Sequence, residues 1–412
     1  MFEPIPAGLE VREPIAFAPD GSRVAFQGVK ADKQFAIVDG VLSDAFDFVD
    51  APVFGATADR LVFRVGNRIS KKAEKWWLLS NGAKIAESEW IGAPSWSPDG
   101  KRLAYWSQPG AKLDAKGERI GGGMVFVVDG KKGEKWRDAD ALTAPVWSDD
   151  SKHVATSALK NDEWCVLIDG KTVGTAPAQV AFKAAPGSPP APWGLRSSIR
   201  DFVFSSGGEH FAYSRLEPYE RDSGGAKLEG ATWGVVYDEA PQRGEFDAAG
   251  SPTFSPDGSR FAYKVHSATR GYGVALDFKP PTYASGFVAQ LTFSPDSKRF
   301  AYVLISGLDK VFDADLSQDR ESSVRGGTWS AVLDGKAEER TFDEIRDLTF
   351  SPDSKRTAYR ARKGDKWFIV SGRWSMGGDG ELSAPRFSAD GLTLGYGSRK
   401  DSSLAWFNAP VK

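Results

Sequence analysis

The chain is poor in the residues that most chemistry needs: its 412 residues include one cysteine, three histidines and three methionines. A lone Cys165 excludes an intramolecular disulfide framework. Its place in the apolar run Trp164-Cys-Val-Leu-Ile168 reads as a buried small hydrophobe. None of His153, His210 and His266 has a Cys or His neighbour at ligand spacing, so neither a metal nor any other cofactor is expected. There is no Gly-x-Ser-x-Gly elbow and no Gly-rich phosphate loop, which removes the serine-hydrolase and standard nucleotide readings. No apolar run approaches the ~20 residues of a membrane span, and Met1-Phe-Glu-Pro-Ile-Pro6 lacks the basic and apolar regions of a secretory signal. A dominant charge is missing too, since 53 Lys+Arg face 55 Asp+Glu. No broad field therefore favours nucleic acid or an anionic membrane. The expectation is a cytoplasmic protein, or a periplasmic one if a leader has been removed, without nucleic-acid or membrane partners.

What is present is one short phrase, repeated. Its fullest copies are Phe254-Ser-Pro-Asp-Gly-Ser-Arg-Phe-Ala-Tyr263, Phe293-Ser-Pro-Asp-Ser-Lys-Arg-Phe-Ala-Tyr302 and Trp96-Ser-Pro-Asp-Gly-Lys-Arg-Leu-Ala-Tyr105. Weaker copies start at Phe17, Phe54, Trp147, Phe204, Phe350 and Phe387. The gaps between anchors run from 37 to 57 residues, the period of a repeat architecture with four short strands per unit. In the unit around Phe350, Ser351-Pro-Asp-Ser354 is a tight turn between Leu348-Thr-Phe350 and Arg356-Thr-Ala-Tyr-Arg360. Lys366-Trp-Phe-Ile-Val370 follows as a third strand. Asx-Gly pairs at Asp39-Gly40, Asn81-Gly82, Asp129-Gly130, Asp169-Gly170 and Asp334-Gly335 close the third strands of sister units as hairpin turns. Pro52, Pro94, Pro145, Pro252 and Pro385 stand two residues before an anchor, as suits an innermost, edge-like strand.

The expected fold class is all-β: a single β-propeller domain over residues 1–412, with nine four-stranded antiparallel blades and eight as the alternative count. The last unit lacks a fourth strand. Phe2-Glu-Pro-Ile5 is similar to the outer-strand segments Phe46-Asp-Phe-Val49 and Phe342-Asp-Glu-Ile345, so residues 2–10 are expected to supply that strand and close the ring.

The phrase Ser-Pro-Asp-Gly/Ser-x-Arg-x-Ala-Tyr resembles the WD-repeat-like propeller repeat of TolB-type proteins. Units that pair it with a Trp-x-Val-Val-x-Asp-Gly-Lys-like strand are similar to a bacterial propeller family of uncharacterised activity. The resemblance covers nearly the whole chain. It implies a binding scaffold and no catalytic residues.

The search for a site turns on departures from the repeat. His153 and His210 stand in the slot that is Arg260, Arg299 and Arg356 elsewhere, and read as repeat-position variants. His266 is read on a loop just after a second strand. Trp76, Trp164, Trp233, Trp329 and Trp367 open third strands and read as packing between blades. Trp193 differs, because it sits in the Pro-rich stretch Pro186-Gly-Ser-Pro-Pro-Ala-Pro-Trp193 as a contact candidate. Asp313-Ala-Asp-Leu-Ser-Gln-Asp-Arg-Glu321 alternates oxygen-bearing side chains, but a calcium loop would want Gly at Gln318 and Glu at Val324. It reads as a solvated acidic loop.

Val11-Arg-Glu13, Ile199-Arg-Asp201 and Ile345-Arg-Asp347 each precede an inner strand. Arg12, Arg200 and Arg346, with Asp201 and Asp347, could line the channel mouth and hold an anion by bidentate hydrogen bonds. The bland reading is that each Arg pairs with a nearby carboxylate. Long connections at residues 107–122, 182–198, 215–231 and 304–327 fall on the same face. The function expected is a non-catalytic scaffold that binds a protein or small anionic ligand there. The alternative is a channel-site enzyme such as a glycosidase or lyase, whose carboxylates would come from Glu13, Asp201 and Asp347.

Overall fold

Each repeat folds into one antiparallel sheet. In the computed structural model the described residues are 8–117, 119–136, 143–160, 163–177, 199–223, 226–244, 246–308, 324, 326–378, 380–400 and 403–411. The eighth sheet shows the pattern, with strands Glu344–Phe350, Thr357–Lys363, Lys366–Ser371 and Trp374–Gly378 in that spatial order. Among the described residues nine sheets of this kind follow one another along the chain, the repeating unit of a β-propeller fold. The ninth has an inner strand in two pieces, Glu381–Leu382 and Arg386–Phe387, then Thr393–Lys400 and Ser403–Pro410. Residues 2–7 of its expected outer strand lie outside the described residues. Glu10 does not serve there: it opens the inner strand of the first sheet, Glu10–Phe17, opposite Val29.

The chain packs as two compact units, the first containing sheets one to four and the second sheets five to nine. Within each unit the core lies between successive sheets. Trp106, Phe126 and Trp136 of the third sheet pack with Val154, Cys165 and Leu167 of the fourth. Phe287, Val303, Ile305 and Trp329 of the seventh meet Ile345, Leu348, Phe350 and Tyr359 of the eighth. Trp76, Trp164, Trp233 and Trp329 are all at least nine-tenths buried, as the packing reading requires.

Two turns explain why the phrase recurs. Ser351 Oγ donates to Asp353 (2.5 Å) and accepts from the backbone N–H of Arg356 (3.0 Å), which fixes the Ser-Pro-Asp turn. The repeat's arginine then joins neighbouring sheets. Arg299 Nε donates to Asp334 of its own sheet (2.9 Å), and another arm reaches the carbonyls of Ser354 (3.3 Å) and Lys355 (2.9 Å) in the next. Asp334 also accepts from the N–H of Phe300 (3.0 Å), so the Asx-Gly turn and the arginine are one network. Arg102 and Arg260 make the same bonds to Asp129 and Asp277 and to the following sheets. His153 and His210 occupy this slot with Nδ1 at 2.7 Å from Asp169 and 2.5 Å from Asp238.

Candidate functional site

The inner strands are broken at one repeating place. Pairing slips between Arg200 and Val203, Gly250 and Thr253, Ala289 and Thr292, and Arg346 and Thr349. At each slip one residue takes positive φ: Asp201 (54°), Ser251 (53°), Gln290 (51°) and Asp347 (57°). Such bulges bend a strand and re-aim a side chain. Here they aim it into the sheet framework. Gln290 donates to the carbonyl of Ile345 (2.8 Å) and accepts from the N–H of Leu348 (3.1 Å), both in the next sheet. Asp347 accepts from Arg360 Nε (2.5 Å), and that arginine donates onward to the carbonyl of Leu382 (2.5 Å). Asp50, Arg64 and the carbonyl of Ile91 repeat this arrangement in the first unit, at 2.6 and 2.9 Å.

The three Arg-acid pairs therefore lie inside inner strands, Glu10–Phe17, Ile199–Phe204 and Glu344–Phe350, and not in the connections before them. The bulge lets the strand begin earlier than its apolar pattern shows. Asp201 accepts from Ser214 Oγ (3.0 Å) and sits 3.8 Å from Arg200 Nε. Burial pushes its carboxyl above the usual range, against the opposing pulls of Arg200, Ser214, the N–H of Ser251 and the charge of Lys264. The Arg200 guanidinium lies 3.4 Å from the Trp233 ring centroid. Arg346 does not pair with Asp347 but with the buried Glu344 (Nε, 2.6 Å), which also accepts from Arg362 (3.2 Å). Arg12, in the first unit, is 4.0 Å from Glu10, both exposed. Trp193 and the loop from Asp313 to Glu321 lie outside the described residues.

A second cluster copies the arginine–glutamate–arginine arrangement in the fifth sheet. Buried Glu217 accepts from Arg215 Nε (3.0 Å) and from Arg243, whose side chain is 71 % exposed. Gly234 opposite leaves room, since a Cβ there would come within 2.9 Å of the Glu217 carboxyl carbon. Sequence reasoning missed Arg215, Glu217, Arg243, Glu344 and Arg362. The signal was there as Arg215-x-Glu217 and Glu344-x-Arg346, because residues two apart share one face of a strand. Lys264 was missed as well: it is 1 % exposed, with Nζ 5.7 Å from the Phe287 ring. Its position in sister strands is Ser214, Val303 or Arg360, so the repeat gave no warning.

The long connections resolve differently from one another. Within 107–122 a small ribbon forms, Lys112–Leu113 against Arg119–Ile120. Residues 215–231 are not a loop: the second and third strands of the fifth sheet simply continue, Phe211–Ser223 paired with Ala226–Tyr237. Much of 304–327 and all of 182–198 lie outside the described residues. His266 stands within the strand Phe261–Ser267, its ring 4.5 Å from Tyr272, and burial lowers its pKa.

No protein-family model and no curated protein matches the chain. Among solved structures it is similar to a eukaryotic initiation factor, at 12 % identity over 91 % of this chain and 89 % of that one, with a TM-score of 0.44. It is similar to TolB from Acinetobacter baumannii at 15 % identity, covering 80 % and 78 %, TM-score 0.28. It is also similar to the β-propeller domain of the Trilobed protease from Pyrococcus furiosus at 11 % identity, covering 80 % and 94 %, TM-score 0.33. The blade assignment rests on this chain's own strand order.

Proposed function

We propose that the protein is a non-catalytic binding platform for an anionic ligand, carboxylate- or phosphate-bearing, free or carried by a protein partner. The ligand meets the end of the blades where inner strands begin. The observation that carries this reading is the repeated pairing of two guanidiniums on one buried carboxylate: Arg215 and Arg243 on Glu217, Arg346 and Arg362 on Glu344. Each cluster has one positive charge in surplus. The carboxylate holds the guanidiniums in place, so Arg243 and Arg346 present N–H donors that are oriented before a ligand arrives.

The enzyme alternative asks the carboxylates of Glu13, Asp201 and Asp347 to move protons. Asp201 and Asp347 are instead engaged with Ser214 and Arg360, as in a framework. Arg243→Ala with Arg346→Ala tests the platform, because Glu217 and Glu344 each keep one arginine and the fold stays intact. A nona-glutamate peptide should bind the wild-type chain and lose about tenfold or more in the double variant, the scale of one or two charge-assisted hydrogen bonds. Equal affinities in a calorimetric titration would remove the clusters from the site.

A further inference from the structure

Four departures from the repeat meet at the opposite, turn end of the fifth and sixth sheets. The first concerns hairpin turns. Among the described residues, seven turns that close a third strand have both central residues at positive φ; the second residue is Gly in five (Gly40, Gly82, Gly130, Gly170 and Gly335) and Glu239 (67°) and Phe278 (58°) in the others. Left-handed φ is disfavoured for any residue with a Cβ, and most for bulky ones. A repeat that uses glycine elsewhere here holds a strained aromatic and a strained acid in adjacent sheets. Second, Phe278 is 58 % exposed: one side of its ring stacks on buried Phe261 at 5.8 Å and 25°, and most of its surface is left to solvent.

Third, the arginine slot of the fifth sheet holds His210, whose ring stacks on Tyr237 at 5.4 Å and 30°. Tyr237 in turn meets Phe278 edge-on at 5.0 Å, so His210, Tyr237 and Phe278 form a continuous aromatic group. Fourth, Ser206-Gly207-Gly208 replaces the usual Pro-Asp-Gly in the fifth sheet and turns as a short 3-10 segment, two residues before His210. Glu209, Asp238, Glu239 and Asp277 outnumber Arg260 and Lys279 along these turns; Arg260 is bonded to Asp277 at 2.9 Å and His210 Nδ1 lies 2.5 Å from Asp238, which leaves Glu209 and Glu239 as the acids of the rim.

We propose that this surface is a second docking site and takes an arginine or lysine side chain from a basic segment of a protein partner. The cation lies on the open face of Phe278, beside the carboxylate of Glu239. Both parts of the surface point to that class: aromatic faces attract cations, and the acidic rim complements a basic chain. Strain at Phe278 fits a contact residue, since structure that serves binding is often held at a cost in stability.

The test uses the full chain with Phe278→Gly and Glu239→Gln, and fluorescence anisotropy with a labelled nona-arginine peptide. The wild type should bind it at low salt. F278G should weaken binding by roughly 3- to 30-fold although the net charge is unchanged. E239Q should weaken it too, with a shallower salt dependence. The melting temperature of F278G should stay level or rise, as glycine relieves the turn. Nona-glutamate binding should be unaffected by F278G, which separates this site from the arginine clusters. The proposal fails if the wild type does not bind nona-arginine, if F278G binds it equally well, or if F278G melts several degrees lower and so proves to be packing.

Discussion

At Arg299 a single side chain serves three acceptors in two sheets: Asp334 in its own, and the carbonyls of Ser354 and Lys355 in the next. Its guanidinium also faces the Phe350 ring at 5.8 Å. Replacing it by alanine removes charge-assisted bonds and should cost about 1.5–3 kcal/mol in denaturant titrations. Arg299→Lys should recover less than half of that, because one ammonium cannot reproduce the planar fork. Full recovery by lysine would mean that charge alone matters there. Trp329 acts through packing: it is 2 % exposed within the core between the seventh and eighth sheets. Trp329→Ala should lose about 3–5 kcal/mol, mostly from the cavity left behind. A loss under about 1 kcal/mol would show that the sheets can close over the gap.

The Ser-Pro-Asp turn is the element that sets the response to acid. Asp99, Asp296, Asp353 and, in the variant turn Ser388-Ala-Asp390, Asp390 are all held below the usual carboxylate range, first by the hydroxyls of Ser97, Ser294, Ser351 and Ser388 and then by backbone N–H groups. A carboxyl whose folded pKa lies below its unfolded value of about 3.9 stabilises the fold above that value. The contribution disappears as pH falls through the folded pKa. Thermal stability should therefore be nearly level from pH 7 to 5 with respect to these groups and fall below about pH 4. Ser294→Ala with Ser351→Ala should make that fall shallower, since two of the carboxyls return toward ordinary values. An unchanged acid limb would disconnect the turns from acid unfolding. These turns were legible in the sequence because the same residues recur wherever the same backbone recurs. The inner-strand bulges were not, since Asp201, Ser251, Gln290 and Asp347 reach one conformation through different residue types. The long ribbon Phe211–Ser223 with Ala226–Tyr237 was hidden for another reason. Among the described residues its outer part pairs with no strand beyond its own partner, so no alternating apolar pattern is required, and Pro218 with Gly224-Gly225 reads as a loop in the sequence.

Among the described residues the repeat accounts for nine sheets, and within each unit the core between successive sheets follows from anchors and third-strand tryptophans visible in the sequence. The sequence singled out Arg200 and Arg346 with their adjacent acids; the structure engages Asp201 with Ser214 and Asp347 with Arg360, and it is Glu217 and Glu344 that are each shared by two arginines. Pairing across strands, which decides this, cannot be read from neighbours along the chain. The central claim is where an anionic ligand lands. Hydrogen exchange of the full chain with and without nona-glutamate measures it directly. The account expects slower exchange at residues 213–217, 242–244, 344–347 and 360–364, with the Ser-Pro-Asp turns unchanged. Protection confined to those turns, or no protection at the two arginine clusters while the peptide is bound, would contradict it.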